Sequence, residues 1–218
     1  MAFDAYDDYE QSERLQQWLR ENGISIVVGI VLGLVLIFGY RQWRAHQVKS
    51  RADAAAQFNA LTNAYASGKA SQADGMVEVL LKAHPDSAYA VFAASERAAD
   101  DAQNGKLEAA ESSLKWAQAH ADGEHGALKS LVSMRLARVE LARGESKQAL
   151  AVLSAIPAGD YDALRGELRG DVLVKLGRNA EARKAYQAAL DAFGKDAPQY
   201  NSVRMKLENL APARKQGA

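Results

Sequence analysis

The sequence has no cysteine, which removes disulfides, thiolate metal sites and cysteine nucleophiles together. Proline is scarce. Only Pro85, Pro157, Pro198 and Pro212 occur in 218 residues, each where a helix should start or stop. Outside one apolar stretch there is no alternating run of β-branched or aromatic residues, so nothing reads as a sheet. Net charge is missing as well: 27 basic side chains balance 27 acidic ones. No global field draws such a chain to nucleic acid, and no nucleic-acid partner is expected. Catalytic signatures are also lacking, with no G-x-S-x-G elbow, phosphate-binding glycine loop or H-E-x-x-H. His120 and His125 stand five apart across a glycine-containing turn, which does not put both on one helix face for a metal. They read as solvated turn histidines, and Asp100-Asp101 as solvated charge near a helix end. The chain is therefore read as no enzyme, with no catalytic residues, cofactor or metal, acting through its surface.

What is present begins with Ile24–Tyr40, ISIVVGIVLGLVLIFGY. From Asn22 to Tyr40, nineteen consecutive residues carry no charge. As a helix they span roughly 28 Å, close to the hydrocarbon thickness of a bilayer. In lipid a helix satisfies its own amides, so the β-branched composition does not count against it. Tyr40 and Trp43 sit at one end, where amphipathic rings favour the headgroup layer. The acidic leader and the length of the run argue against a cleaved signal peptide. The expected organisation is an acidic tail over 1–21, a transmembrane helix over 22–40, a helical domain over 41–211 and a flexible tail over 212–218. Leu15, Trp18 and Leu19 in the first segment fit either an interfacial helix or a frayed end. Ser25, Gly29 and Gly33 share one face of the anchor, where small side chains would let another helix dock.

Alanine supplies about a fifth of the chain, favouring helix and close helix packing. From Arg41 no breaker interrupts the pattern until Gly68, so the membrane helix should run on into the domain, with Phe58, Leu61 and Tyr65 on its inner face. Four glycines are each followed five residues later by alanine: Gly68–Ala73, Gly105–Ala110, Gly144–Ala149 and Gly177–Ala182. Three have an Ala- and Leu-rich helix ahead of them, over Ala88–Gln103, Leu128–Arg143 and Ala163–Leu176. Partner helices follow over Leu107–Ala121, Lys147–Ser154 and Asn179–Phe193. This is the unit of a tetratricopeptide-type (TPR-like) helical-hairpin solenoid, degenerate because its intervals are 37, 39 and 33 residues. Ala137 and Gly170 should let paired helices touch, while Leu153 and Tyr186 fill seams. A helix over Pro198–Leu210 would cap the array. The fold class is all-α. Phasing on Gly144 and Gly177 puts Met134, Arg138, Glu167, Asp171 and Lys175 in a candidate groove suited to varied polypeptide segments.

The chain resembles the YfgM-like family, the ancillary subunit of the SecYEG translocon of Gram-negative bacteria. The resemblance is carried by Glu21-Asn22-Gly23 before the anchor, Val28-Gly29 and Leu32-Gly33 within it, and Gly39 and His46-Gln47-Val48 after it. It continues in Leu136-Ala137-Arg138-Val139 and Arg169-Gly170-Asp171, covering about Trp18 to Leu210. It implies an inner-membrane protein with a cytoplasmic N-terminus and a periplasmic TPR-like domain. Implied partners are the translocon, a membrane-anchored periplasmic chaperone of the peptidyl-prolyl isomerase type, and exported polypeptides passed between them. One count opposes that orientation: the leader holds Arg14 and Arg20, whereas Arg41, Arg44, Lys49 and Arg51 follow the anchor. Long domains can cross regardless of such a bias, and the expected topology follows the resemblance. A structural scaffold in another envelope complex is the alternative.

Overall fold

The structure, a computed structural model, describes residues 4–121, 126–159 and 161–210, with side chains from Arg14 onward except Leu15. His125, Pro212 and the 212–218 tail lie outside them. The chain divides into two units, residues 1–52 and 53–218. Among the described residues every element is a helix.

The described residues of the first unit all belong to α1 (Asp4–Ala66), so the acidic leader is helical from Asp4. Its most apolar 18-residue window has a mean hydropathy of 2.5, and none of that window is buried. Ile24, Leu36 and Phe38 are 82%, 72% and 64% exposed. An apolar surface of this extent has no place in water, and the helix is long and apolar enough to cross a membrane.

The second unit is a run of hairpins. The end of α1 pairs with α2 (Ala70–Ala83), α3 (Ala88–Gln103) with α4 (Leu107–His120), and α5 (Gly126–Ala142) with α6 (Ser146–Ala155). Next come α7 (Asp162–Lys175) with α8 (Asn179–Ala192), then the single helix α9 (Tyr200–Asn209). The bounds of α3 to α9 match the sequence expectation to within two residues, and α3 matches it at both ends. The described prolines Pro85, Pro157 and Pro198 all fall between helices. Ser87 starts α3 by accepting the Ala90 N–H at 3.1 Å.

The four repeat glycines have φ between +71° and +83°. Each closes the same double bond at its helix end. The Lys69 N–H reaches Ala64 O at 2.9 Å while the Gly68 N–H reaches Tyr65 O at 2.9 Å. The pairs Lys106–Asp101 with Gly105–Ala102, Glu145–Glu140 with Gly144–Leu141, and Arg178–Leu173 with Gly177–Val174 repeat it. The residue after each glycine immediately starts the next helix, its carbonyl accepting from Ala73, Ala110, Ala149 or Ala182. Chain reversal this tight folds each helix back onto the one before it, and all four alanines are fully buried.

Three clusters fill the seams. Ala54 and Leu61 of α1 join Val77, Leu80, Val91 and Leu114, with Phe58 and Tyr65 packed alongside. Leu153 and Ile156 meet Leu168 and Val172 between the third and fourth hairpins. Tyr186, Leu190 and Leu173 close over Val203 of α9, which caps the array as expected. At Gly170 of α7 the Tyr186 ring of α8 occupies the space a Cβ would need.

Candidate functional site

Two surfaces were singled out by the sequence, one in the anchor and one on the hairpins. Gly29 and Gly33 lie within the exposed helix, with nothing within 4 Å of where a Cβ would stand. Ser25 is exposed one turn before Gly29. The backbone is therefore open to another helix along that face.

The candidate groove is divided among three environments. Met134 is 2% exposed and packs with Ala137, Leu153 and Val172, so it is a core residue, which corrects its expected place in the groove. Glu167 and Asp171 are half-buried and already engaged. Lys206 of α9 donates to Glu167 Oε1 at 2.8 Å and to Asp171 Oδ2 at 2.9 Å, and the Tyr186 hydroxyl donates to Asp171 Oδ1 at 2.7 Å. Burial alone would lower the Lys206 pKa, but the two hydrogen bonds and the charges behind them outweigh it and hold the ammonium above the ordinary lysine value. Burial and then the Asp171 bond push the Tyr186 hydroxyl up. These acids thus fasten the cap to the last hairpin. Lys175 is exposed. Arg138 is exposed and lines a cleft of about 210 Å³ with Arg135, Ala99, Ala102, Leu114 and Val139.

Polar clamps also tie α3 to α2 and α4, and α5 to α4. Arg97 of α3 pairs with Glu78 of α2 and donates to Ser113 Oγ of α4 at 3.0 Å. Arg143, at the end of α5, pairs closely with Glu111 of α4, while its Nη2 stands 3.2 Å from Glu145. Its Nε lies 3.4 Å from Glu108, an ion-pair distance without an aligned hydrogen bond. Gln118 of α4 donates to Ser133 of α5 at 2.7 Å. Glu140 lies 4% exposed, its Oε2 without a hydrogen bond among the described residues. Burial raises its pKa, with Glu145 adding and Lys115 opposing.

His120 is not the solvated turn histidine expected. Its ring stacks on Trp116 at 3.9 Å, and its Nδ1–H donates to the Trp116 carbonyl at 2.9 Å. Sequence reasoning missed Arg135 and the aromatic group of Phe58, Tyr89 and Phe92, whose rings stand 5.9 and 6.0 Å apart. The signal available was an arginine pair at i, i+3 on α5 with no acid four residues away.

Residues 16–212 match the model of a tetratricopeptide repeat-like domain. The chain is 31% identical over 208 residues to an ancillary SecYEG translocon subunit of Haemophilus influenzae, covering 94% of this chain and all of that protein. It is 28% identical over 205 residues to the protein of the same name from Escherichia coli, covering 94% and 97%. A solved structure of Pseudomonas aeruginosa pilF is similar over 73% of this chain and 90% of its own at 15% identity, with a TM-score of 0.42.

Proposed function

The chain belongs to the family of ancillary SecYEG translocon subunits with a tetratricopeptide repeat-like domain, and from that premise we propose that it is a membrane-anchored, non-enzymatic adaptor at the translocon. In this reading α1 fixes it in the inner membrane, with the N-terminus in the cytoplasm and the hairpins in the periplasm. There the hairpins help pass newly exported polypeptides from the translocon to a membrane-anchored chaperone of the peptidyl-prolyl isomerase type. The observation that carries the reading is the pairing, in one chain, of an unburied apolar helix with a domain built of helical hairpins and a capping helix among the described residues. An anchor fixes location but offers no selectivity for soluble partners. A hairpin array supplies a wide, preformed contact surface.

The exposed Ser25, Gly29 and Gly33 face supports docking through the anchor, since close backbone approach is a main source of helix affinity in lipid. Solubilising the full chain in mild detergent and identifying co-purified proteins tests the proposal. Translocon subunits should be recovered with the wild-type chain and depleted with Gly29→Leu or Gly33→Leu. Recovery of the translocon undiminished by both substitutions would remove the docking face. Recovery of a different envelope complex in its place would replace the adaptor by a structural scaffold elsewhere.

A further inference from the structure

At Arg97, Arg143 and Lys206 a basic side chain in a seam meets an acid on the neighbouring helix. Arg135 and Arg138 have no such acid. Both line the cleft between α3 and α5, and neither has an ion pair or hydrogen bond to another described side chain. The rest of that cleft is almost wholly apolar, formed by Ala99, Ala102, Leu114 and Val139. Glu96, on α3, makes no ion pair with either arginine. Further back along α3 stands Phe92, 38% exposed, against Phe58 of α1 at 6.0 Å. Phe92 and Ala99 are two helical turns apart and share a face.

We infer that this face binds an extended polypeptide segment carrying a carboxylate about four residues from an aromatic or large apolar side chain. Phe92 and Ala102 are separated by about 15 Å along the helix, the length of four to five residues of extended chain. Two guanidinium forks beside an apolar wall suit a carboxylate in geometry and charge, because such a wall weakens the water screening that makes exposed pairs feeble. The aromatic group at the other end takes a flat or bulky side chain, and Glu96 between them disfavours an acid at the centre of the segment. This inference rests on the adaptor reading above and names the chemistry of its ligand.

The test uses the full chain in detergent micelles and a fluorescein-labelled twelve-residue peptide with Phe and Glu four residues apart on a Gly/Ser background. Fluorescence anisotropy should show saturable binding that weakens about tenfold when the peptide Glu becomes Gln. A comparable loss is expected with Arg135→Gln/Arg138→Gln while circular dichroism melting stays unchanged, and with Phe92→Ala. Absence of binding, or binding indifferent to the peptide carboxylate or to both arginines, overturns the inference. So does arginine-dependent binding to phosphatidylglycerol vesicles with none to the peptide. Co-purification of the wild-type chain separates the two levels. If the translocon is still recovered while peptide binding fails in the wild type, the inference alone falls; if the wild type recovers no translocon, the adaptor reading falls.

Discussion

Gly170→Ala adds one methyl group where the structure has no room for it. Its Cβ would stand 2.3 Å from Tyr186 Cε1 and 2.4 Å from Cδ1. Tyr186 is 2% exposed, and its hydroxyl is held by Asp171 at 2.7 Å, so the ring cannot swing aside freely. Overpacking of this kind costs about 1–3 kcal/mol. Breaking the Tyr186–Asp171 bond adds about 1 kcal/mol. Replacing glycine inside a helix returns about 1 kcal/mol. The net loss is about 1–3 kcal/mol, a fall in Tm of roughly 3–10 °C for a domain of this size. Gly75→Ala is the control, because Gly75 is exposed within α2 with nothing within 4 Å of a Cβ. It gains only the propensity term and should raise Tm by a few degrees. Melting of the full chain in detergent, followed at 222 nm, reads both. Equal shifts of the same sign would refute the close α7–α8 contact. Recovery of Gly170→Ala by Tyr186→Leu would confirm which side chain resists.

Gly144→Ala forces an L-residue to φ +83° and should cost about 1–2 kcal/mol in the same melt although space is open; no change would mean the turn can re-form. Glu140→Gln should stabilise the domain near neutral pH. A carboxyl whose folded pKa is raised favours folding when protonated, so wild-type stability falls as pH rises through and beyond the ordinary glutamate range; a parallel pH–Tm profile for the variant would reject this. Lys206→Met should loosen α9 by about 1 kcal/mol, seen as faster amide exchange in α9. Because the Lys206 pKa is raised, its contribution holds below the unfolded value of 10.5 and is lost above the folded one; α9 exchange unchanged at high pH would contradict it.

The hairpins were legible in the sequence because one physical demand recurs four times. A left-handed helix end requires glycine, and the close approach that follows requires alanine, so both survive where the other repeat positions have drifted. The cap was legible from Pro198 and from Val203 and Leu207 on one side of α9. The groove was not. One residue of phase turns a side chain by about 100°, which is enough to exchange Met134 in the core for Arg135 at the cleft. Glu167 and Asp171 show no local partner in the sequence, since Lys206 lies 39 and 35 residues away and only the folded seam brings it to them. Trp116 and His120 stand one turn apart, which allows stacking without revealing that it displaces solvent.

The side of the membrane on which the hairpins lie decides the account most directly, because the count of Lys and Arg around the anchor opposes the proposed orientation. The chain has no native cysteine, so Lys195→Cys, exposed between α8 and α9, supplies a single thiol. Intact Gram-negative cells expressing the full chain are treated with a maleimide that crosses the outer membrane but not the inner. Labelling in intact cells is the predicted result and places the array where exported chains emerge. Protection in intact cells, with labelling only after lysis, would put it in the cytoplasm and contradict the adaptor function.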